Sequence, residues 1–334
     1  MKFATMGSTG LVSSRLALGT MSFGGDADKE TSAAMYRAAR DAGINHFDCA
    51  DVYNGGKAEQ ILGWLIADHR DDVIVASKAY FPTGAGPNER GNSRYHLVRA
   101  VEASLRRLRT DRLDIFYLHR WDDNTDIADS LRTLDDLVRQ GKILYPALSN
   151  VAAWQAAKAI TMADAKGWVR PACVQPMYNL AKRQAEVEIL PMAQAENIGV
   201  IPYSPLGGGL LSGKYGAQIR PAGGRLIDNG MYATRYGAAR NYQIAEGHRA
   251  LATKRGVHPV ALAVAWVASH PAVTAPLLGA RNLEQLRPAL TALDIEMTTE
   301  LLAEIDEYTP SPPPATDRNE ETSTVNYAAI LQKK

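Results

Sequence analysis

Hydrophobic residues in this chain gather in short, β-branched runs, and between those runs they recur every three to four positions. The short runs predict strands at 16–19, 45–48, 73–78, 115–119, 144–149, 173–176, 199–204 and 274–278. The periodic segments predict helices over 31–42, 58–67, 94–108, 127–140, 152–166, 185–196, 259–269 and 283–292. Strands alternating with helices in this way must run parallel and be joined by crossovers, so the expected fold is α/β, a (β/α)8 TIM barrel.

Ahead of the first strand, FATMGSTGLVSS reads as two extended pieces around a GSTG turn. That is a hairpin able to plug the N-terminal end of the barrel. Two connectors, 80–92 (rich in Gly and Pro) and 207–242 (rich in Gly and Arg), are too long to be simple links. Both follow barrel strands, and loops at the C-terminal face build the active side of this architecture, so both are candidate lids or cofactor clamps. The whole chain, 1–334, reads as one domain, with 309–334 an extended Pro-rich tail free to fold back over the barrel mouth.

Composition narrows the partner. With 46% hydrophobic and 22% charged residues the chain can bury an ordinary globular core. Lys and Arg number 37 against 36 acidic residues, a balance that argues against nucleic acid or an anionic membrane and for a small molecule. The two cysteines, Cys49 and Cys173, lie too far apart in sequence for a disulfide framework or a paired metal site. A reducing compartment is the expectation, and with neither a signal peptide nor a long apolar span in view, the cytoplasm.

Four ionisable or polar residues sit where adjacent strand ends converge: Asp48 in HFDCADVY, Tyr53 five residues on, Lys78 ending VIVASK, and His119 ending DIFYLH. Each alone has a plain structural reading as cap, snorkelling charge or core filler. Together they form a proton-transfer unit. An ammonium at Lys78 favours the Tyr53 phenolate, Asp48 keeps Lys78 charged, and His119 orients a substrate oxygen, leaving Tyr53 as proton donor. Strand alternation turns Asp51 away from Asp48, so Asp51 is read as a loop cap. Phe23, Tyr80 and Trp121 follow three strands and could wall a substrate pocket or simply pack the rim. No G-x-G-x-x-G string links the first strand to its helix, so dinucleotide binding of the Rossmann kind is excluded. The glycines of PLGGGLLSG permit close approach of backbone amides to an anion, or a flexible turn.

The ordered strings GSTGLVSSRLALGTMSFG, AGINHFDCADVYNGGKAEQILGWL, VIVASK, LDIFYLHRWD, GKILYPALSN, VQPMYNL, IPYSPLGGGLLSGKY and LLGARNLEQL resemble the aldo-keto reductases over residues 2 to about 308, with a more distant similarity to potassium-channel β subunits. The resemblance implies a carbonyl reductase with Asp48, Tyr53, Lys78 and His119 as its catalytic tetrad. It implies NADPH, with NADH also possible, and Ser149, Asn150 and Gln175 on the carboxamide, Tyr203 stacked on the nicotinamide and Arg281 on a 2′-phosphate. It also sets Thr20, Met21, Ser204, Leu206, Gly208, Lys214 and Gly279 against the cofactor. Gln285 stands where the family commonly has Arg, and Pro288 and Ala289 replace an acidic residue and an Asn near the adenine. Two rivals remain: an NADPH-binding regulatory subunit without turnover, and a lyase using Lys78 as a Schiff-base nucleophile.

Overall fold

The structure, a computed structural model, describes residues 1–318. A two-stranded antiparallel hairpin, β1 (Phe3–Thr5) with β2 (Val12–Ser14), precedes eight parallel strands. These are β3 (Ala17–Gly19), β4 (His46–Asp48), β5 (Ile74–Ala79), β6 (Leu113–Leu118), β7 (Ile143–Ser149), β8 (Cys173–Gln175), β9 (Gly199–Val200) and β10 (Leu277–Leu278), in sheet order β10-β3-β4-β5-β6-β7-β8-β9. The remaining edge closes through amides of Thr274 and Leu277, which donate to the carbonyls of Val200 and Pro202 at 2.9 Å each. Both last strands are shorter than their apolar runs predict. Pro202 and Pro276 have no N–H to give to a ladder, so regular pairing stops beside them.

The helices are α1 (Lys29–Asp41), α2 (Lys57–Ile66), α3 (Arg94–Leu108), α4 (Ile127–Arg139), α5 (Ala153–Lys166), α6 (Ile189–Ala195), α7 (Arg225–Asp228), α8 (Gly230–Tyr236), α9 (Ala239–Arg255), α10 (Pro259–Ser269), α11 (Leu283–Leu290) and α12 (Thr299–Tyr308). Against the predicted helix 185–196, only a 3₁₀ turn at Gln184–Glu186 and the short α6 form. Pro191 fits the first turn of a helix but would clash with the carbonyl of Val187 in an interior, so the helix starts two residues before it. Four helices lie outside the predicted set: α7 and α8, both within the long connector 207–242, and α9 and α12. In α9 the buried face includes Asn241 and His248, polar residues that hide the apolar period. His248 is held by the Pro259 carbonyl, 2.8 Å from Nε2.

The barrel interior is a separate apolar layer of Met6, Ala17, Ile74, Ala76, Ile115, Tyr117, Ala147, Cys173, Ile201, Ala275 and Leu277. Met6 comes from the hairpin turn and is fully buried, so the hairpin does plug the barrel floor. Gly199 makes room for it: a Cβ there would stand 2.6 Å from Met6 Cγ. With the floor sealed, access is left to the C-terminal rim. The larger core lies between strands and helices. No helix among the described residues is long and apolar enough to cross a membrane. The first tail residues are pinned, with Thr309 Oγ1 donating to the Leu180 carbonyl at 2.6 Å and Arg183 bonding Ser311 Oγ at 2.6 Å. The rest of the expected tail, 319–334, lies outside the described residues.

Candidate active site

At the C-terminal rim a cavity of about 900 Å³ opens over the ends of β3, β4 and β6 to β10. Asp48 closes β4 and Lys78 is the penultimate residue of β5, and the pairing of those strands brings their side chains into the barrel mouth. Lys78 is fully buried. Its ammonium contacts Asp48 Oδ1 and donates to the Cys49 carbonyl at 2.7 Å, while Gln175 Nε2 donates to Asp48 Oδ2 at 2.9 Å. Burial opposes the charge on Lys78, but the Asp48 carboxylate overrides it and holds the ammonium above its ordinary pKa.

Tyr53 begins a 3₁₀ turn between β4 and α2, its ring centroid 5.2 Å from Lys78 Nζ and 6.0 Å from the His119 ring. Burial pushes its phenol up to about 12 despite the opposing field of Lys78. The expectation that the ammonium brings the phenol below its usual value is therefore met in sign of the Lys78 contribution but not in the net. His119 follows β6, its amide still donating to the Ala79 carbonyl at 3.0 Å. Burial, assisted by Lys78, holds its imidazole well below the usual histidine range, so it is neutral, and Nδ1 is buried without a partner among the described residues. Asp48, Tyr53 and His119 line one cavity, and Lys78 stands fully buried against Asp48. A neutral donor and acceptor, a protonated phenol and a compensated ammonium can together give a proton to an oxygen placed between Tyr53 and His119.

The rim beside them is internally bonded. Asn150, at φ 53°, donates to the His119 carbonyl at 2.9 Å and accepts from Tyr203 Oη at 2.7 Å, so its amide braces three strand ends. Ser149 Oγ donates to the Gln175 carbonyl at 3.0 Å. Met21, Ser149, Asn150, Gln175, Tyr203, Ser204, Leu206, Gly208, Lys214, Gly279, Arg281 and Gln285 all line the cavity. Thr20 does not. It is fully buried, its hydroxyl donating to the Asp48 carbonyl at 3.0 Å.

The three aromatic residues expected at the substrate wall lie elsewhere. Phe23 is fully buried in the main core, carried inward by a turn in which its amide bonds the Thr20 carbonyl. Tyr80 and Trp121 stand outside the cavity lining, Trp121 against Trp154 at 5.8 Å between centroids. Both were in phase with the inward residues Lys78 and His119, but β5 ends at Ala79 and β6 at Leu118, so alternation no longer applies. Phe81 lines the cavity instead, edge-on to His119 at 4.9 Å. Arg120, Arg225, Tyr232 and Arg235 also line the cavity and were not anticipated. Asp26, from the loop between β3 and α1, pairs with Arg281 at 3.1 Å and Arg225 at 3.5 Å, linking that loop to the start of α7 and to the segment after β10.

Asp51 is not a cap. Both of its carboxylate oxygens are buried with no hydrogen-bond partner among the described residues. Behind it Glu59 accepts from Ser77 Oγ and Arg107 Nε, each at 2.5 Å. Burial and the Glu59 charge raise the Asp51 carboxyl to about 7, against the weaker pull of Arg107 and Lys78. An acid with a raised folded-state pKa costs stability as pH climbs from about 4 through 7, because the unfolded chain releases its proton first. Asp51→Asn is therefore expected to raise Tm at pH 8, the penalty removed being at most about 4 kcal/mol, and to change little at pH 5. Thermal unfolding at the two pH values checks this; an equal shift at both would refute it.

Residues 15–309 match the Aldo/keto reductase family. The chain belongs to that family. Among its relatives in it, an uncharacterized oxidoreductase, YrpG, of Bacillus subtilis (strain 168) is 36% identical over 330 residues, covering 93% of this chain and 97% of its own. A probable voltage-gated potassium channel subunit beta of Oryza sativa subsp. japonica is 34% identical over 326 residues, covering 95% and 99%. Norsolorinic acid reductase stcV of Emericella nidulans is 33% identical over 316 residues, covering 90% of this chain and 79% of its own. The tetrad thus stands on an aldo/keto reductase barrel, at the face where such barrels carry their chemistry.

Proposed function

We propose that this aldo/keto reductase is an oxidoreductase that reduces an aldehyde or ketone to the alcohol with NADPH. The observation that carries the reading is that Tyr53, His119 and Asp48 line one cavity, with the buried Lys78 paired to Asp48 and 5.2 Å from the Tyr53 ring. A bound nicotinamide would supply the hydride. His119 and Tyr53 hold the carbonyl oxygen, Tyr53 delivers the proton, and Lys78 steadies the phenolate left behind.

The remainder of the cavity suits a dinucleotide. Gly208 sits at φ 69° under Tyr232, where a Cβ would approach Tyr232 Cδ1 to 2.6 Å, so the loop after β9 offers bare backbone beside Lys214, Arg225 and Arg281. Ser149 Oγ keeps a lone pair and Gln175 Nε2 a second hydrogen for a carboxamide, and Tyr203 lines the same cavity. Arg281 carries the preference for a 2′-phosphate, though it must exchange Asp26 for it. Arg281→Ala is expected to weaken NADPH about tenfold more than NADH, as loss of one charged contact implies. Dissociation constants by protein fluorescence measure this, and an equal loss for both cofactors would reassign Arg281.

An NADPH-oxidation screen over small aldehydes, aryl ketones, diketones and sugar carbonyls tests the reading. The likeness to potassium-channel β subunits supports a second one, a nicotinamide-binding regulatory subunit. Tight NADPH binding with no turnover across that screen would favour it. The Schiff-base reading for Lys78 is opposed by its charge: an ammonium held by Asp48 has no lone pair for a carbonyl carbon.

A further inference from the structure

The cavity's charges divide by the barrel wall on which they stand. Lys214 and Arg225 lie in the segment after β9 and Arg281 follows β10, with Arg225 and Arg281 tied to Asp26. Arg235, on α8, acts on the Tyr203 and Tyr236 phenols and so belongs to the same side. Arg120 stands apart. It immediately follows His119 at the end of β6, and β6 is four strands from β10 in a closed barrel of eight, on the opposite wall.

A dinucleotide whose phosphates lie along the loop after β9 and at Arg281 leaves Arg120 with no cofactor phosphate to meet. Among the described residues no carboxylate pairs with it either, and the Arg120 side chain has no ion pair or hydrogen bond, while its carbonyl is fixed by Asn92 Nδ2 at 2.8 Å. Near these residues Lys78 is cancelled by Asp48, His119 is neutral and Tyr53 keeps its proton, so Arg120, next to His119 in the chain and lining the same cavity, supplies the uncompensated charge on this wall. Phe81, edge-on to His119, supplies an apolar face to the same cavity.

We propose, resting on the carbonyl-reductase reading, that the substrate is an aldehyde or ketone that also bears a carboxylate, held by the Arg120 guanidinium while its carbonyl meets Tyr53 and His119. A guanidinium fork matches a carboxylate in two parallel bonds, which fixes orientation as well as affinity. Because Arg120 is solvent-facing, the preference falls with ionic strength.

The test is steady-state reduction by NADPH of two matched pairs: 4-carboxybenzaldehyde against methyl 4-formylbenzoate, and 4-oxobutanoate against butanal. In at least one pair the wild type is expected to favour the acid by about tenfold in kcat/KM, through KM, and less at 0.5 M salt, with on the order of one charged contact at stake. Arg120→Gln should remove that preference while leaving the neutral partner and the KM for NADPH within about twofold, and Arg120→Lys should keep part of it. No preference for the acid in either pair, or a Gln variant that slows acid and neutral aldehydes equally, overturns the proposal while the reductase reading stands. If no carbonyl in the pairs or in the broader screen is reduced, the reading beneath it fails too.

Discussion

Tyr53→Phe is expected to lower the turnover of any carbonyl substrate by about 10²–10⁴-fold, the usual contribution of a positioned general acid, while leaving NADPH affinity nearly unchanged. The substitution removes one oxygen and keeps the ring, so packing beside His119 survives and the loss is chemical. In barrier terms the change is about 3–5 kcal/mol. The same assignment fixes the pH profile. The phenol, pushed up to about 12, keeps its proton throughout the neutral range, and His119, held well below its usual value, stays neutral. Reduction should therefore be flat from about pH 6 to 9, and the reverse oxidation, which needs the phenolate, should accelerate with rising pH. A variant keeping more than a tenth of wild-type kcat, or an acid limb near the ordinary histidine pKa, would remove Tyr53 or His119 from these roles.

The barrel was legible because strand and helix periods differ and the chain alternates them cleanly. What escaped sequence reading has specific causes. Helix α9 buries Asn241 and His248 on its inner face, so its period is masked, and prolines at 191, 202 and 276 trim elements whose apolar content suggests more length. The tetrad was legible for a different reason. A lysine and an aspartate inside apolar strands are costly unless paired, and the pairing of β4 with β5 brings them together. The aromatic lining of the cavity was not, because alternation predicts side-chain direction only while the strand lasts. Tyr80 and Trp121 fall just past the last ladder residues, and Phe81 turns in instead. Arg120 and Arg235 carry no local signature at all, since nothing in an arginine's sequence neighbours tells whether it lacks an acidic partner. The buried, unpartnered state of Asp51 depends likewise on Glu59 and Arg107, which only packing of α2 on α3 brings near.

Replacing Lys78 by Met should abolish carbonyl reduction, with a loss comparable to that of Tyr53→Phe. Its ammonium opposes the effect of burial on the Tyr53 phenol, so without it the phenol climbs further from about 12 and becomes a poorer proton donor. A second effect accompanies the first: Asp48 is left buried without its cation, and breaking a buried pair from one side destabilises by about 3–5 kcal/mol. Loss of activity in Lys78→Met alone could therefore reflect misfolding. The double variant Lys78→Met with Asp48→Asn separates the two, because it removes both charges and leaves Gln175 and the Cys49 carbonyl with neutral neighbours. The double variant is expected to recover much of the lost Tm and to bind NADPH, while turnover stays lowered by at least about 10²-fold. If it regained turnover along with Tm, Lys78 would be a structural partner of Asp48 and the proton donor would need another source of stabilisation. If borohydride with a carbonyl substrate trapped a covalent adduct on wild-type Lys78, and turnover needed no nicotinamide, the electrostatic role would give way to a nucleophilic one.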